Sequence, residues 1–405
     1  MTVTVEEIRK AAAQLAGRIV RTPCLRSETL SAMAGTDVFL KFENHQFTAS
    51  FKERGALVKL LSLDEAQRRR GVIAMSAGNH AQGVAYHAQR MGVPATIVMP
   101  ISTPFIKVQQ TRQLGARVVL HGQHLAESEL KVHELVAAED LVLVHPYDDE
   151  AVIAGQGTVA LEMLEDQPEI DCLCVPVGGG GLLAGMAVAA HATRSDIEIF
   201  GVQTRAFPSM HALLNDQPLE CGTTTIAEGI AVRNAGRITS AILREHARGI
   251  LLVDEADIEN AISLLIAIEK TVVEGAGAAG LAALLTHPER FRGRKVGIVL
   301  CGGNIDTRLL GIVLQRQLVR EQRLVTLRFE ITDLPGTLGR IAGLIGEAGG
   351  TIIDVTHHRL FLDVSAKAAD LDFTIETRDA AHTAQVEETL RAAGLKPRRL
   401  SASGS

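Results

Sequence analysis

The stretch Leu173-Cys174-Val175-Pro176-Val177-Gly178-Gly179-Gly180-Gly181-Leu182 carries the decisive pattern. A β-rich apolar run passes straight into four glycines, and these open a helical run of small residues, Leu182 to Ala192. Two other segments repeat the plan. Val72 to Met75 runs into Ser76-Ala77-Gly78-Asn79-His80, and Val296 to Leu300 runs into Cys301-Gly302-Gly303-Asn304. Ligands of open α/β sheets bind beyond the carboxyl ends of strands, so three such loops point to one shared crevice. Any one of them alone would read as a glycine-rich turn.

Further strands are expected at Val38 to Phe42, Thr96 to Met99, Arg117 to Leu120, Leu141 to Val144 and Ile197 to Val202. Helical periodicity lies between them, as in Asn79 to Met91 and Ile258 to Glu269. This alternation means an α/β architecture, with parallel sheets covered on both faces. A pattern that continues to residue 320 is long enough for two α/β lobes, so 1–320 is read as one catalytic region. Beyond it the texture changes. A strand (Leu324 to Ile331), the turn Asp333-Leu334-Pro335-Gly336 and a helix (Leu338 to Ala348) end at Gly349-Gly350. Strands Ile352 to Thr356 and Leu371 to Thr377 and a helix from Ala384 to Ala393 complete a β-α-β-β-α order. That predicts a ferredoxin-like domain over 321–400, followed by the small-residue tail Ser401 to Ser405.

Composition narrows the function. The 405 residues are 46% apolar and 22% charged, the profile of a folded globular chain. A net charge of −6 speaks against nucleic acid as a partner. The basic runs Arg68 to Arg70 and Arg398 to Arg399 read as solvated faces. Cys24, Cys172, Cys174, Cys221 and Cys301 are odd in number and scattered, with neither a disulfide framework nor zinc-site spacing. Met1 to Leu15 has no apolar signal-peptide core, and Thr4 with Glu7 has the spacing of a helix-opening capping box. These features predict a cytoplasmic protein. Gly71 to Gln89 and Cys172 to Thr193 carry no charge, but Pro176 and the four glycines interrupt the second, so no membrane segment is expected.

Backbone N–H groups in Gly178 to Gly181, joined to a helix N-terminus, make a phosphate cradle. Gly179-x-Gly181-x-x-Ala184 satisfies a loose dinucleotide fingerprint, but Gln203 stands where the ribose-binding acid belongs, and no ATP-type phosphate loop exists. In Ser50-Phe51-Lys52-Glu53-Arg54-Gly55, Ser50 and Glu53 again have capping-box spacing, which places Lys52 in the first turn of a helix. The helix dipole disfavours a cation there and biases the lysine towards the neutral, imine-forming amine. Lysine chemistry and a plain helix cap are both open at this point.

Thr48-Ala49-Ser50-Phe51-Lys52-Glu53-Arg54-Gly55-Ala56, the Ser76 to Gly83 segment, the four glycines and Cys301 to Asn304 together resemble the threonine dehydratases (threonine ammonia-lyases). These are pyridoxal-phosphate enzymes of tryptophan-synthase-β-like fold, and the resemblance spans about residues 5 to 320. The last 80 or so residues are similar to an ACT domain. The resemblance implies that Lys52 holds pyridoxal 5′-phosphate as an internal aldimine and then acts as base on the substrate Cα. It places Phe51 beside the ring, Asn79 at its 3′-oxygen, Gly178, Gly179, Gly180, Gly181 and Leu182 at the phosphate, and Cys301 at the pyridine nitrogen. Ser76, Asn79 and His80 take the substrate carboxylate, and Glu274 lies near the ring with no assigned role. A neutral Cys301 leaves the pyridine nitrogen unforced, which favours loss of the β-hydroxyl over racemisation.

The implied activity is elimination of water and ammonia from L-threonine, and from L-serine, giving 2-oxobutanoate or pyruvate. Ala49 departs from the glycine usual in the family, and Cys301 from the serine common there; both bear on the choice among threonine, serine and hydroxyaspartate. Serine racemase shares the lysine motif, but Ala77 here carries no proton for the second face. Hydroxyaspartate dehydratase is a further alternative of the same fold. A non-catalytic amino-acid-binding regulator and a nicotinamide oxidoreductase are the readings from other classes. For the ACT domain the resemblance implies isoleucine or valine as effector and a homo-oligomer, dimer or tetramer. His357-His358 reads as a solvated strand end with no metal, and a cation site near Glu228 is left open.

Overall fold

The computed structural model describes residues 3–332, 334–358 and 368–400. Asp333 of the expected turn and the tail 401–405 lie outside the described residues. Two compact units divide the chain, Met1–Ile305 and Asp306–Ser405. Helix Thr307–Arg320, assigned above to the catalytic region, falls in the second unit.

The strands in chain order are β1 (Cys24–Ser27), β2 (Asp37–Lys41), β3 (Val72–Met75), β4 (Ala95–Met99), β5 (Arg117–Leu120), β6 (Val142–Leu143), β7 (Cys172–Pro176), β8 (Glu198–Thr204), β9 (Gly249–Val253) and β10 (Lys295–Val299). They form two sheets in the first unit. One is wholly parallel, in the order β5-β4-β3-β6. The other runs β1-β2-β10-β7-β8-β9, parallel except for β1, which pairs antiparallel with β2 at the edge. The two-lobed α/β architecture is therefore the one expected. β1 and β9 were not anticipated. Four residues with two exposed positions give β1 no readable alternation, and the apolar run of β9 is too short to separate from a helix. β6 is two residues long, where Leu141 to Val144 was expected.

β7 and β4 are buried at every position, as parallel strands sandwiched by helices must be. Helix Gly181–Thr193 packs closely on helix Glu150–Asp166. A methyl at Gly185 would come within 2.6 Å of the Gly157 amide nitrogen, so only glycine permits that approach. This contact sets the helix that the glycine loop opens. The Thr4–Glu7 capping box forms as expected at the start of helix Val5–Leu15.

The second unit adds β11 (Leu324–Thr332), β12 (Thr351–His358), β13 (Ala368–Glu376) and β14 (Arg398–Leu400), with helices Thr337–Glu347 and Ala380–Ala392. Its antiparallel order is β12-β13-β11-β14. The ferredoxin-like plan is present and gains a last strand. Arg398 and Arg399, read above as a solvated run, pair with β11, and Arg399 reaches the Glu387 carboxylate. Phe329 and Phe373 meet edge-on in the core at 5.7 Å. His358 ends β12 half-buried, with Nε2 3.1 Å from Asp372. Among the described residues no helix is long and apolar enough to cross a membrane.

Candidate active site

The lysine loop is tied to the end of β10 by a short antiparallel bridge. The Phe51 amide donates to Cys301 O at 3.1 Å, and the Gly303 amide donates to Ala49 O at 2.8 Å. This pairing brings Lys52 and Cys301 together from positions far apart in sequence. Ala49 pays for the turn with φ 54°, a left-handed conformation in which glycine is unstrained. Phe51 is buried beside the lysine.

Helix Lys52–Leu61 starts at the lysine itself, with Phe51 as N-cap and no side-chain cap. The expected Ser50–Glu53 capping box does not form. Ser50 Oγ instead accepts from the Lys52 amide at 3.1 Å. Glu53 is drawn away to the Thr48 amide and lies 3.4 Å from His87 Nε2, in a buried site. The lysine still stands in the first turn.

Lys52 Nζ donates to Pro146 O at 2.8 Å and lies 5.1 Å from the Phe51 ring centroid. Burial pulls the amine down to about 8, against weaker upward pulls from Cys301 and Glu274. The Cys301 thiol is pushed well up by burial, so it stays neutral. Glu274 is raised to about 7, chiefly by burial and against the hydrogen bond from Asn79.

A chain of amides links these groups. Asn79 Nδ2 donates to Glu274 Oε1 at 2.8 Å, and Asn304 Nδ2 donates to Asn79 Oδ1 at 2.7 Å and to Thr48 O at 2.8 Å. The loop after β3 thus meets the loop after β10. Ser76 Oγ accepts from the Gly78 amide at 3.1 Å, bending that loop into helix Asn79–Met91. His80 is buried, with Nε2 2.8 Å from Val144 O, and burial lowers it to about 3, so it is a neutral imidazole.

Gly180, at φ 100°, is the N-cap of helix Gly181–Thr193, whose first turn holds the buried Leu182. Among the described residues the amides of Gly178, Gly179 and Gly180 donate to no protein acceptor. The Tyr147 ring lies against Gly179, where any side chain would overlap it.

Behind Lys52 sits a buried ion cluster. Arg54 makes a bidentate pair with Glu43, at 2.8 and 2.7 Å, and reaches Glu162 at 2.7 Å; Lys41 joins Glu162 at 2.6 Å. Glu228 pairs with Lys107 at 2.7 Å on the surface, and among the described residues no group of three His, Cys, Asp or Glu side chains is arranged to hold a metal.

The structure therefore gathers Lys52, Phe51, Asn79 and Cys301, bonds Ser76 Oγ within its own loop, and shows the His80 ring turned onto Val144 O. Sequence reasoning missed Pro146 and Tyr147. Their signal was available: they follow the short strand β6, a fourth strand-end loop, but one without glycine.

Unbonded amides at a helix N-terminus, a lysine amine with a lowered pKa and a neutral thiol suit a phosphorylated aldehyde with a pyridine ring. Residues 15–302 match the family described as pyridoxal-phosphate dependent enzyme, and residues 325–395 match the ACT domain. The chain belongs to the pyridoxal-phosphate dependent enzyme family and carries an ACT domain at its C-terminal end. It is 41% identical over 401 residues to the L-threonine ammonia-lyase of Thermotoga maritima, covering 98% of this chain and 99% of that one. Among solved structures, the processed form of threonine deaminase isoform 2 from Solanum lycopersicum is 33% identical with a TM-score of 0.72, covering 76% of this chain and 87% of the other. The serine racemase of Dictyostelium discoideum is 34% identical with a TM-score of 0.71, covering 76% and 100%.

Proposed function

We propose that the chain is a pyridoxal-phosphate-dependent threonine ammonia-lyase, converting L-threonine to 2-oxobutanoate and ammonia and L-serine to pyruvate and ammonia. The carrying observation is the Lys52 amine, lowered to about 8 and bonded to a backbone carbonyl rather than a carboxylate. Bound pyridoxal phosphate supplies an electron sink for the charge that develops at the substrate Cα.

The chain's own residues do the rest. Lys52 Nζ carries the cofactor and, once released, takes the Cα proton. Phe51 packs beside the ring, and the amides of Gly178 to Gly181 with Leu182 hold the phosphate. Asn79, fixed by Glu274 and Asn304, would offer its second Nδ2 hydrogen to the 3′-oxygen. Cys301, a neutral thiol, would face the pyridine nitrogen. Ser76, Asn79 and His80 take the substrate carboxylate at the N-terminus of helix Asn79–Met91, His80 through its backbone amide.

The likeness to a serine racemase favours a second reading. Against it, Ala77 stands in the carboxylate loop and has no proton to give the opposite face of Cα. Incubation of the holoenzyme with L-threonine and L-serine in deuterium oxide separates them. Keto acid and ammonia without deuterated D-amino acid support the lyase; abundant deuterated D-amino acid overturns it. Hydroxyaspartate in the same assay ranks the third substrate.

In the second unit a cavity of about 360 Å³ is lined by Ile331, Leu334, Pro335, Gly336, Thr337, Leu338 and His357. Its wall mixes the apolar Ile331, Leu334 and Leu338 with the polar Thr337 and His357, a lining compatible with isoleucine or valine as effector, and with that effector the enzyme would serve isoleucine biosynthesis. The allosteric unit would be a homo-oligomer, dimer or tetramer. All five cysteines are free thiols, in keeping with a cytoplasmic enzyme. Isoleucine should shift the threonine saturation curve; an unchanged curve with no calorimetric binding rejects the effector.

A further inference from the structure

We propose that Asp148 and Thr239 are positioning residues for the glycine cradle, acting through the first turn of helix Arg237–His246 to aim the Gly180 amide at the cofactor phosphate. The inference rests on reading Gly178 to Gly181 as the phosphate site.

Helix Arg237–His246 begins at Gly236, which has no side chain to cap it. Its cap comes from a residue distant in sequence. Asp148 Oδ2 accepts from the Arg237 amide at 3.1 Å, and Oδ1 accepts from the amides of Ile238 at 2.8 Å and Thr239 at 3.3 Å. The approach is close: a methyl at Gly236 would lie 2.6 Å from Asp148 Oδ1 and 2.5 Å from Thr239 Oγ1. The helix start held in this way faces the cradle. Thr239 Oγ1 donates to Gly179 O at 2.6 Å, and the Gly236 amide donates to the same oxygen at 3.1 Å. In a trans peptide the N–H points opposite to the C=O, so pinning Gly179 O to this helix turns the Gly180 N–H the other way.

The segment that supplies Asp148 also touches the lysine. His145 Nδ1 accepts from the Asp148 amide at 2.8 Å, Pro146 O accepts from Lys52 Nζ, and Tyr147 Oη donates to Asn234 O at 2.9 Å. Asp149 caps helix Glu150–Asp166 and pairs with Lys59 at 2.5 Å. One short loop thus sets the spacing between the amine and the phosphate amides. Among the described residues the side chains of Asp148 and Thr239 bond to the helix start and to Gly179 O and not to Lys52, Asn79 or Cys301, so the effect expected of them is at the phosphate end.

The test compares two ligands on the apoprotein, pyridoxal phosphate and pyridoxal, which lacks the phosphate. Dissociation constants are read by absorbance titration for wild type, Asp148→Ala and Thr239→Val, with melting curves for each. Thr239→Val keeps the side chain's shape and decides the matter should Asp148→Ala not fold. We expect each variant to lose about tenfold in affinity for pyridoxal phosphate, and none for pyridoxal, since an aiming hydrogen bond serves only the phosphate. Equal losses for both ligands, or no loss, overturn the proposal while leaving the cradle intact. A wild type that binds both ligands equally removes the cradle reading itself, and the positioning role with it.

Discussion

Lys52 and Arg54 stand two residues apart at the start of one helix, and their surroundings treat charge in opposite ways. Arg54 is completely buried, and Glu43 and Glu162 meet it with hydrogen bonds that hold its pKa above the usual value. Lys52 lies deep in the cleft with a backbone carbonyl and an aromatic ring, and its amine falls to about 8. A guanidinium does not give up its proton in a protein, so a buried one must be paired. An ammonium can give it up, and burial without a bonded carboxylate makes that loss easier. Paired ions anchor the helix, while its first residue is kept reactive.

The largest effect expected from this contrast is chemical. Lys52→Ala should lower threonine turnover by about 10³-fold or more, because the nucleophile and base is lost, with little change in melting temperature. Turnover within tenfold of wild type would break the comparison. Arg54→Met should do the reverse, costing about 3–5 kcal/mol of stability in urea unfolding, because Glu43 is left buried without its partner. A loss below about 1 kcal/mol would show that the cluster anchors nothing.

A pH series sharpens the lysine side. The lowered pKa makes the amine neutral above about 8. Capture of pyridoxal phosphate by the apoprotein should therefore accelerate from pH 6 to 8 and then level off. An ordinary lysine would go on accelerating past about pH 10. The smallest effect concerns the turn before the lysine. Ala49→Gly removes a side chain from a left-handed position and should raise stability by about 0.5–1 kcal/mol with activity retained. A destabilised variant would show that the methyl is held by packing.

How far the site could be read beforehand follows the same division. Asn79, Cys301 and the four glycines were legible because each closely follows a strand, where sheet topology brings loops together, and Lys52 because of its place in the first turn of a helix and the motif around it. What supports them was not. Pro146, Asp148 and Thr239 reach the site through contacts with residues 60 to 94 positions away, which leave no local pattern. Local spacing also misled. Ser50 and Glu53 have capping-box spacing, but Glu53 finds the Thr48 amide and His87 once the loop is folded. In the fold, short edge strands such as β1 and β14 escaped because a few residues cannot display a period.

The central claim is that Lys52 holds the cofactor and that threonine displaces it from there. The most direct measurement is the visible spectrum of the holoenzyme before and after threonine, followed by borohydride reduction and peptide mapping. With no tryptophan and two tyrosines in the chain, the cofactor band stands clear. The account predicts a band that threonine perturbs as keto acid appears, and a single reduced label on Lys52. A label on another lysine, or no band after pyridoxal phosphate is added, would contradict it.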